Sequence, residues 1–238
     1  MSFFIHAKVA CAACDHVHDA DVAESLHIST RPDVREDILA GRFHRFRCPA
    51  CAAWTTIEKL LAYTDFDRRH WFTVVPVVEL PFLAQWRELA ISTFQATMLE
   101  RAPALVREEM APQMLRRLVF GLASLREKLI AFDHGLDDRV LEVLKLEILR
   151  QRDLLPDVRL ACHLTELTSD MLAFDLARPG APPVIDRVAI ARADYDGLAA
   201  GASELAGRWP ELWGDIAVDW RTLFIAPAAV HASEGSPA

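Results

Sequence analysis

The chain of 238 residues lacks several features that would assign a function directly. It has no apolar run long enough to span a membrane, and its start, residues 1–6, lacks the basic and apolar regions of a signal peptide. It has no phosphate-binding glycine loop, nucleophile elbow, metalloprotease helix or dinucleotide fingerprint. These absences predict a cytoplasmic protein without a membrane partner, and they favour a role other than catalysis.

The chain also lacks an excess of basic residues. Its 34 acidic and 26 basic residues give a net charge of −8. A general nucleic-acid binder normally has a basic face, so this balance disfavours nucleic acid as a partner, although it leaves room for a local basic patch. The charged and apolar fractions, 25% and 52%, are ordinary for a soluble globular protein.

Cysteine is scarce, yet four of the five cysteines form two pairs with the spacing of metal ligands. Two residues separate Cys11 from Cys14, and two separate Cys48 from Cys51. A turn of this length directs two sulfur atoms at one ion, and two such turns supply the four thiolates of a closed tetrahedral site. The sequence therefore predicts that these four cysteines bind a structural Zn²⁺.

Other interpretations of the cysteines fit less well. A redox pair is expected at the start of a helix, whereas each pair here lies between extended segments. Disulfides need an oxidising compartment, and a catalytic zinc keeps one position open. Four-sulfur iron remains an alternative to zinc. His16 and His18 are predicted to be solvated, and Cys162 to be a buried structural residue.

Residues 1–80 are predicted to form a zinc-ribbon-like antiparallel sheet with one short helix. Thr30 is expected to cap this helix, Pro32 to lie in its first turn and Gly41 to end it. Pro76 indicates that the last strand, 70–78, is an edge strand, at least at its end. Short strands bury little apolar surface, so metal binding should stabilise the module, and chelation should unfold residues 1–80 while the later helices persist.

Residues 81–155 are predicted to be a helical region. Its clearest pattern is a row of apolar residues at alternating spacings of three and four, which predicts a continuous helical seam: Leu115, Leu118, Leu122, Leu125, Leu129 and Phe132. A turn at 133–135 and a second apolar helix at 140–149 complete an αα-hairpin. The second helix is apolar on more than one side, so either a second copy of the chain or the C-terminal sheet should cover it.

Charged residues gather where the two helices of this hairpin meet: Arg126, Glu127, Lys128, Asp137, Asp138 and Arg139. They suit the helix dipoles, which is a structural interpretation. In the functional interpretation, Glu127 with Asp137 or Asp138 binds a cation or acts as a general base, and Arg126 orients an anion.

Residues 156–226 are predicted to form a small antiparallel meander with a connection at 178–183, followed by a helix from Asp194 to Leu205. Residues 227–238 are predicted to be a flexible tail. The whole chain is therefore expected to be α+β.

Basic residues surround the second cysteine pair: Lys8, Arg42, Arg45 and Arg47. They form either a phosphate-binding strip beside exposed aromatic rings or the solvated side of a half-buried strand.

The chain resembles the bacterial CpXC-domain family in three stretches. The first holds both cysteine pairs with the short helix between them, the second runs from Lys59 to Pro76, and the third runs from Val119 to Lys145. The first pair reads Cys-Ala-Ala-Cys and lacks the proline of the family motif. The resemblance implies a metal-binding domain and no known activity.

These observations predict a zinc-stabilised interaction or scaffold protein. Its partner is expected to be another protein, or a second copy bound through the helical hairpin. One alternative is a nucleic-acid-associated zinc ribbon, and another is an enzyme with its site near residues 126–139.

Overall fold

The computed structural model describes residues 2–178 and 186–225 and has the α+β architecture that the sequence predicts. The tail at 227–238 and most of the connection at 178–183 lie outside the described residues. Within the described residues, no helix combines the length and apolar content that a membrane crossing requires.

The N-terminal half alternates hairpins with short helices. Its elements are β1 (Phe3–Ala10), β2 (Val17–His27), α1 (Pro32–Leu39), β3 (Arg45–Arg47), β4 (Trp54–Thr56), β5 (Leu61–Asp65), β6 (His70–Val75), α2 (Leu83–Phe94), β7 (Leu115–Phe120) and α3 (Leu122–Asp133). Five of the strands form one sheet in the order β1-β2-β5-β6-β7, and β3 pairs with β4 as a separate two-stranded ribbon. The sheet is mixed, because β2 and β5 are parallel, as are β6 and β7.

Two local predictions in this half are wrong. The strand that ends before Pro76 is central, because β6 pairs with β5 on one side and with β7 on the other. Thr30 does not cap α1, since its hydroxyl donates to the carbonyl of His27 (2.8 Å). Pro32 does begin the helix, and Gly41 follows it at φ +67°, a conformation that costs glycine least.

The predicted continuous seam from Leu115 to Phe132 is also wrong. Its first part is strand β7, which is buried beside β6, and only the part from Leu122 onward is helical. Gly121 separates the two at φ +92°, outside the helical region. The leucine spacing fitted a helix, but Val119 and Phe120 before a glycine are typical of a strand end.

The C-terminal half packs on α4 (Asp138–Arg150), the second helix of the hairpin. It comprises β8 (Ala161–Leu167), β9 (Met171–Ala177), β10 (Asp186–Ala191), α5 (Arg192–Ala200), α6 (Ala202–Arg208), α7 (Pro210–Gly214) and a 3₁₀ turn at Trp220–Phe224. The three strands form the predicted antiparallel meander, in the order β10-β9-β8. The predicted helix from Asp194 to Leu205 instead begins at Arg192 and is interrupted at Gly201.

The two largest of the apolar cores among the described residues organise the chain. One joins α1 and α3 to the five-stranded sheet, with Tyr63, Phe72 and Leu129 fully buried. The other joins α4 to the C-terminal meander, with Leu149 and Phe174 fully buried. The C-terminal sheet therefore covers the second hairpin helix. Strand β7 and helix α3 belong to the core of the N-terminal sheet, so the predicted domain boundary between residues 80 and 81 divides this core. The division of the chain into domains 1–80, 81–155 and 156–226 stays a prediction.

Candidate functional site: a four-cysteine centre and a buried charge network

Two hairpin loops of the same length carry the predicted metal ligands. Residues 11–16 join β1 to β2, and residues 48–53 join β3 to β4. In each loop the first cysteine amide donates to the carbonyl five residues on (3.0 and 2.8 Å), and the amide four residues on donates back to that cysteine's carbonyl (2.9 Å in both). That residue has a positive φ in both loops, +57° at Asp15 and +60° at Ala52. The two loops therefore share one backbone conformation.

The loops bring all four predicted sulfur atoms together. The Sγ atoms of Cys11 and Cys51 are 3.6 Å apart, those of Cys14 and Cys48 are 3.7 Å apart, and all four lie within 4.8 Å of one another. A tetrahedral ion with metal–sulfur bonds of about 2.3 Å requires sulfur–sulfur distances of about 3.8 Å. The four residues fit such an ion without rearrangement of the backbone.

The electrostatics of the cysteines also favour a cation. The amide of Ala13 donates to Cys11 Sγ (3.4 Å) and lowers the pKa of Cys11 to about 6. The amide of His16 lowers the pKa of Cys14, but the Cys51 sulfur and burial outweigh it and raise that pKa to about 12. Adjacent sulfurs therefore resist ionising together unless a positive ion lies between them. The group holds the four cysteines and neither His16 nor His18.

The six charged residues predicted at the hairpin do not form one site. Arg126 donates to the carbonyl of Leu39 (2.7 Å) and thereby joins α3 to the end of α1. Asp137 caps α4 by accepting from the Arg139 amide (2.9 Å), and it also pairs with the Arg139 guanidinium. These three side chains are structural links at the surface.

The other three predicted residues, Glu127, Lys128 and Asp138, enter a network of buried charges. Lys128 Nζ lies 2.8 Å from Asp138 Oδ2, and Arg117 holds the same carboxylate with two hydrogen bonds (2.7 and 2.8 Å). Lys145 bonds Glu127 and also Glu142 (2.9 Å). All but Arg117 are at most 3% exposed. We call these residues the charge network: Arg117, Glu127, Lys128, Asp138, Glu142 and Lys145.

The C-terminal half completes the charge network. The amide of Leu164 donates to Glu127 Oε2 (2.6 Å), and the amide of Trp220 donates to Glu142 Oε2 (3.1 Å). A cavity of about 10 Å³, enough for about one water molecule, lies between these segments and is lined in part by His163.

Opposite charges favour the ionised forms of Asp138 and Lys145, whereas burial raises the pKa of Glu142. Burial alone would raise the pKa of Asp138, but Lys128 and Arg117 hold it well below its usual range. Burial opposes the charge on Lys145, and Glu127 and Glu142 nevertheless raise its pKa. Every carboxylate of the network faces a cation. These ion pairs and hydrogen bonds connect β7, the hairpin and the C-terminal half.

Sequence reasoning missed Arg117, Glu142 and Lys145. A signal for the last two was present, because both lie in a helix that is apolar on more than one side. A helix covered on several sides buries its charged residues too, and buried charges need partners.

The fold and the cysteine geometry define an α+β protein with a four-cysteine centre that can bind a metal ion. A family model described as "CpXC protein" matches residues 9–145, more than half of the chain, so the chain belongs to the CpXC family. The match includes all four cysteines and the whole charge network. No curated protein and no solved structure gave a match.

Proposed function

We propose that the four cysteines hold a structural Zn²⁺ and that the chain serves as an interaction scaffold in the reducing cytoplasm. One observation carries the proposal: four sulfur atoms lie within 4.8 Å of one another in two loops of the same conformation. Four thiolates fill the coordination shell, so no position is left for a substrate or an activated water. Iron in the same shell is the competing metal.

The charge network supports a scaffold over an enzyme. Its carboxylates are paired with buried cations and backbone amides, and the cavity beside it holds about one water. A general base needs a reachable proton on a substrate, and this network offers no room for one.

The proposed partner is another protein. A second copy of the chain was one way to cover the apolar sides of α4. The C-terminal sheet covers this helix instead. Exposed apolar side chains lie instead just before and within α2, at Val78, Phe82 and Leu89 (73, 51 and 44% exposed). Exposed apolar groups of this kind are what protein interfaces bury.

Metal analysis tests the zinc part of the proposal. The purified full-length chain should carry one zinc per molecule, Cys51→Ser should carry almost none, and Cys162→Ala should keep it because Cys162 lies in the other core. A metal-free wild type, or iron in place of zinc, would contradict this assignment.

The partner is tested by affinity capture with a matched pair of variants. A protein partner that docks at the apolar side chains should be retained by the wild type and by Lys8→Gln, and lost with Val78→Ser/Phe82→Ser. Binding must then be reproduced with the purified partner. A partner retained equally by all three forms would place the contact elsewhere.

A further inference from the structure

The ribbon of β3 and β4 has one face of exposed side chains, and its Thr56 also lines a cavity beside α1 and α3. Arg45 lies opposite Thr56, and Arg47 lies opposite Trp54. Residues directly opposite each other in an antiparallel pair point to the same side, so these four side chains share one face. All four are exposed, Trp54 by 56%. We call Arg45, Arg47, Trp54 and Thr56 the ribbon face.

The two arginines of the ribbon face are uncompensated. Lys8 pairs with Asp19 (3.3 Å) and Arg42 with Asp37 (2.7 Å), so half of the predicted basic strip is neutralised. Among the described residues, no carboxylate lies within ion-pair distance of Arg45 or Arg47. On a chain with a net charge of −8, this is a local positive patch.

An indole ring lies beside the charge of Arg45. The Arg45 guanidinium carbon is 5.0 Å from the centre of the Trp54 ring, within cation–π distance, and it leaves much of the ring exposed to solvent. The patch therefore combines a flat apolar surface with two cations that can each bind an anion through two hydrogen bonds.

The opposite face of the ribbon fixes this arrangement. Phe46 packs on the small core of Val9, Ala20 and Val22. Thr55 Oγ1 accepts a hydrogen bond from the amide of Ala12 in the first cysteine loop (3.4 Å). The four-cysteine centre lies at the end of the ribbon, so the ribbon face is preorganised before any partner binds.

We propose that the ribbon face binds single-stranded nucleic acid. An unpaired base stacks on Trp54, and the phosphates beside it contact Arg45 and Arg47. An acidic peptide would use the arginines but has no need of the exposed indole, and a duplex hides the base faces that the indole would contact. This surface shares no residue with the apolar side chains of the proposed protein partner, so different variants test the two proposals.

The test is fluorescence anisotropy of the zinc-loaded full-length chain with labelled dT10 and U10 oligonucleotides. Both should bind at low salt, and a difference between them would tell DNA from RNA. Each phosphate contact to a single strand contributes a slope of about −0.7 in the logarithmic salt plot, so two arginines should give about −1.4.

Variants separate the ribbon face from general charge effects. Trp54→Ala should weaken binding about 5- to 150-fold. Arg45→Gln and Arg47→Gln should each reduce the salt slope by about 0.7. Lys8→Gln and Arg42→Gln remove a paired charge of the same sign nearby, so they should leave affinity within about twofold. Zinc content measured on every sample shows whether the fold of the ribbon is retained.

Several results would overturn the inference. They are the absence of binding at low salt, equal binding to a duplex of the same length, and equal binding to polyglutamate with no effect of Trp54→Ala. Unchanged oligonucleotide binding by zinc-loaded Trp54→Ala would also reject the ribbon face and would leave the structural zinc proposal intact.

Discussion

Removal of the metal should release the β3–β4 ribbon and leave the five-stranded sheet folded. The sequence alone predicted unfolding of residues 1–80, but the sheet shares its core with α1 and α3 and does not depend on the metal alone. The ribbon and its loop, residues 44–57, cost about 14 kcal/mol to order at about 1 kcal/mol per residue. The partly buried Phe46 and Ile57 return about 4 kcal/mol, and at least five hydrogen bonds return about 1 kcal/mol each. At most about 5 kcal/mol is then missing, and structural zinc contributes about 10–16 kcal/mol.

The remaining margin of at least about 5 kcal/mol sets the size of the effect. It corresponds to at least several thousandfold in an equilibrium constant. Amide hydrogens of residues 44–57 should therefore exchange at least about a thousandfold faster in the chelated protein than in the zinc-bound protein. Amides of β5 and β6 should be little affected, because Tyr63 and Phe72 belong to the core shared with α3.

Hydrogen exchange followed by mass spectrometry measures both regions in one sample. Cys51→Ser should reproduce chelation, and re-added zinc should restore protection in the wild type only. Cys162→Ala is the matched control, because it removes a buried thiol from the other core and should not alter the ribbon. Equal protection of the ribbon with and without zinc would refute the reasoning. Loss of protection throughout residues 1–80 would show that the metal stabilises the whole sheet.

Three further predictions concern single side chains. Ala52→Gly should raise thermal stability or zinc affinity by about 0.5–1 kcal/mol, because Ala52 has φ +60° and glycine relieves that strain; an unchanged or lower value would argue against the loop conformation. Lys145→Met should lower the free energy of unfolding in urea by about 3–5 kcal/mol, because it leaves Glu127 buried without its cation and Glu142 with only Lys128, 3.7 Å away. Adding Glu142→Gln should restore part of the loss. Burial lowers the pKa of His44 to about 4, so the unfolded chain takes up the proton first, and stability should fall by up to about 3 kcal/mol as pH drops from about 6.5 to 4. The unfolding midpoints of the wild type and of His44→Gln are compared across this pH range, which separates the contribution of His44 from acid release of the metal. A difference between the two midpoints that does not change with pH would contradict the prediction.

The four-cysteine centre could be predicted because its geometry is local. A spacing of two residues fixes how each pair of sulfur atoms can be directed, whatever the rest of the fold does. The hairpin β1–β2 and the C-terminal meander were predictable for a similar reason, since both follow from alternation between neighbouring turns.

The errors arose where neighbours distant in sequence decide the structure. Leucines from Leu115 onward satisfy a helical spacing, and only the parallel pairing of β7 with β6 makes the first of them a strand. Pro76 suggested an edge strand, but the proline lies just beyond the end of β6 and so leaves its ladder intact. Pairings between strands distant in sequence could not be predicted, because the local propensity of these residues is similar for a helix and a strand and for an edge and a central strand.

The charge network could be predicted only in part, for the same reason. Six charges at the hairpin suggested one site, yet only Glu127, Lys128 and Asp138 point inward. Their partners lie in β7 (Arg117) and further along α4 (Glu142 and Lys145). Which of several adjacent charges becomes buried depends on helix rotation against the C-terminal half, which spacing along the chain does not determine.

The hydrogen bonds from Leu164 and Trp220 have a consequence for synthesis on the ribosome. The chain emerges from its amino terminus, so α3 and α4 leave the exit tunnel before the two amides that satisfy Glu127 and Glu142. Until the C-terminal meander has emerged, the nascent hairpin carries an uncovered apolar helix, and until Trp220 has emerged Glu142 lacks its last donor. We expect this interval to be the stage at which a holding chaperone is most needed, and premature termination between residues 145 and 220 to yield an aggregating product.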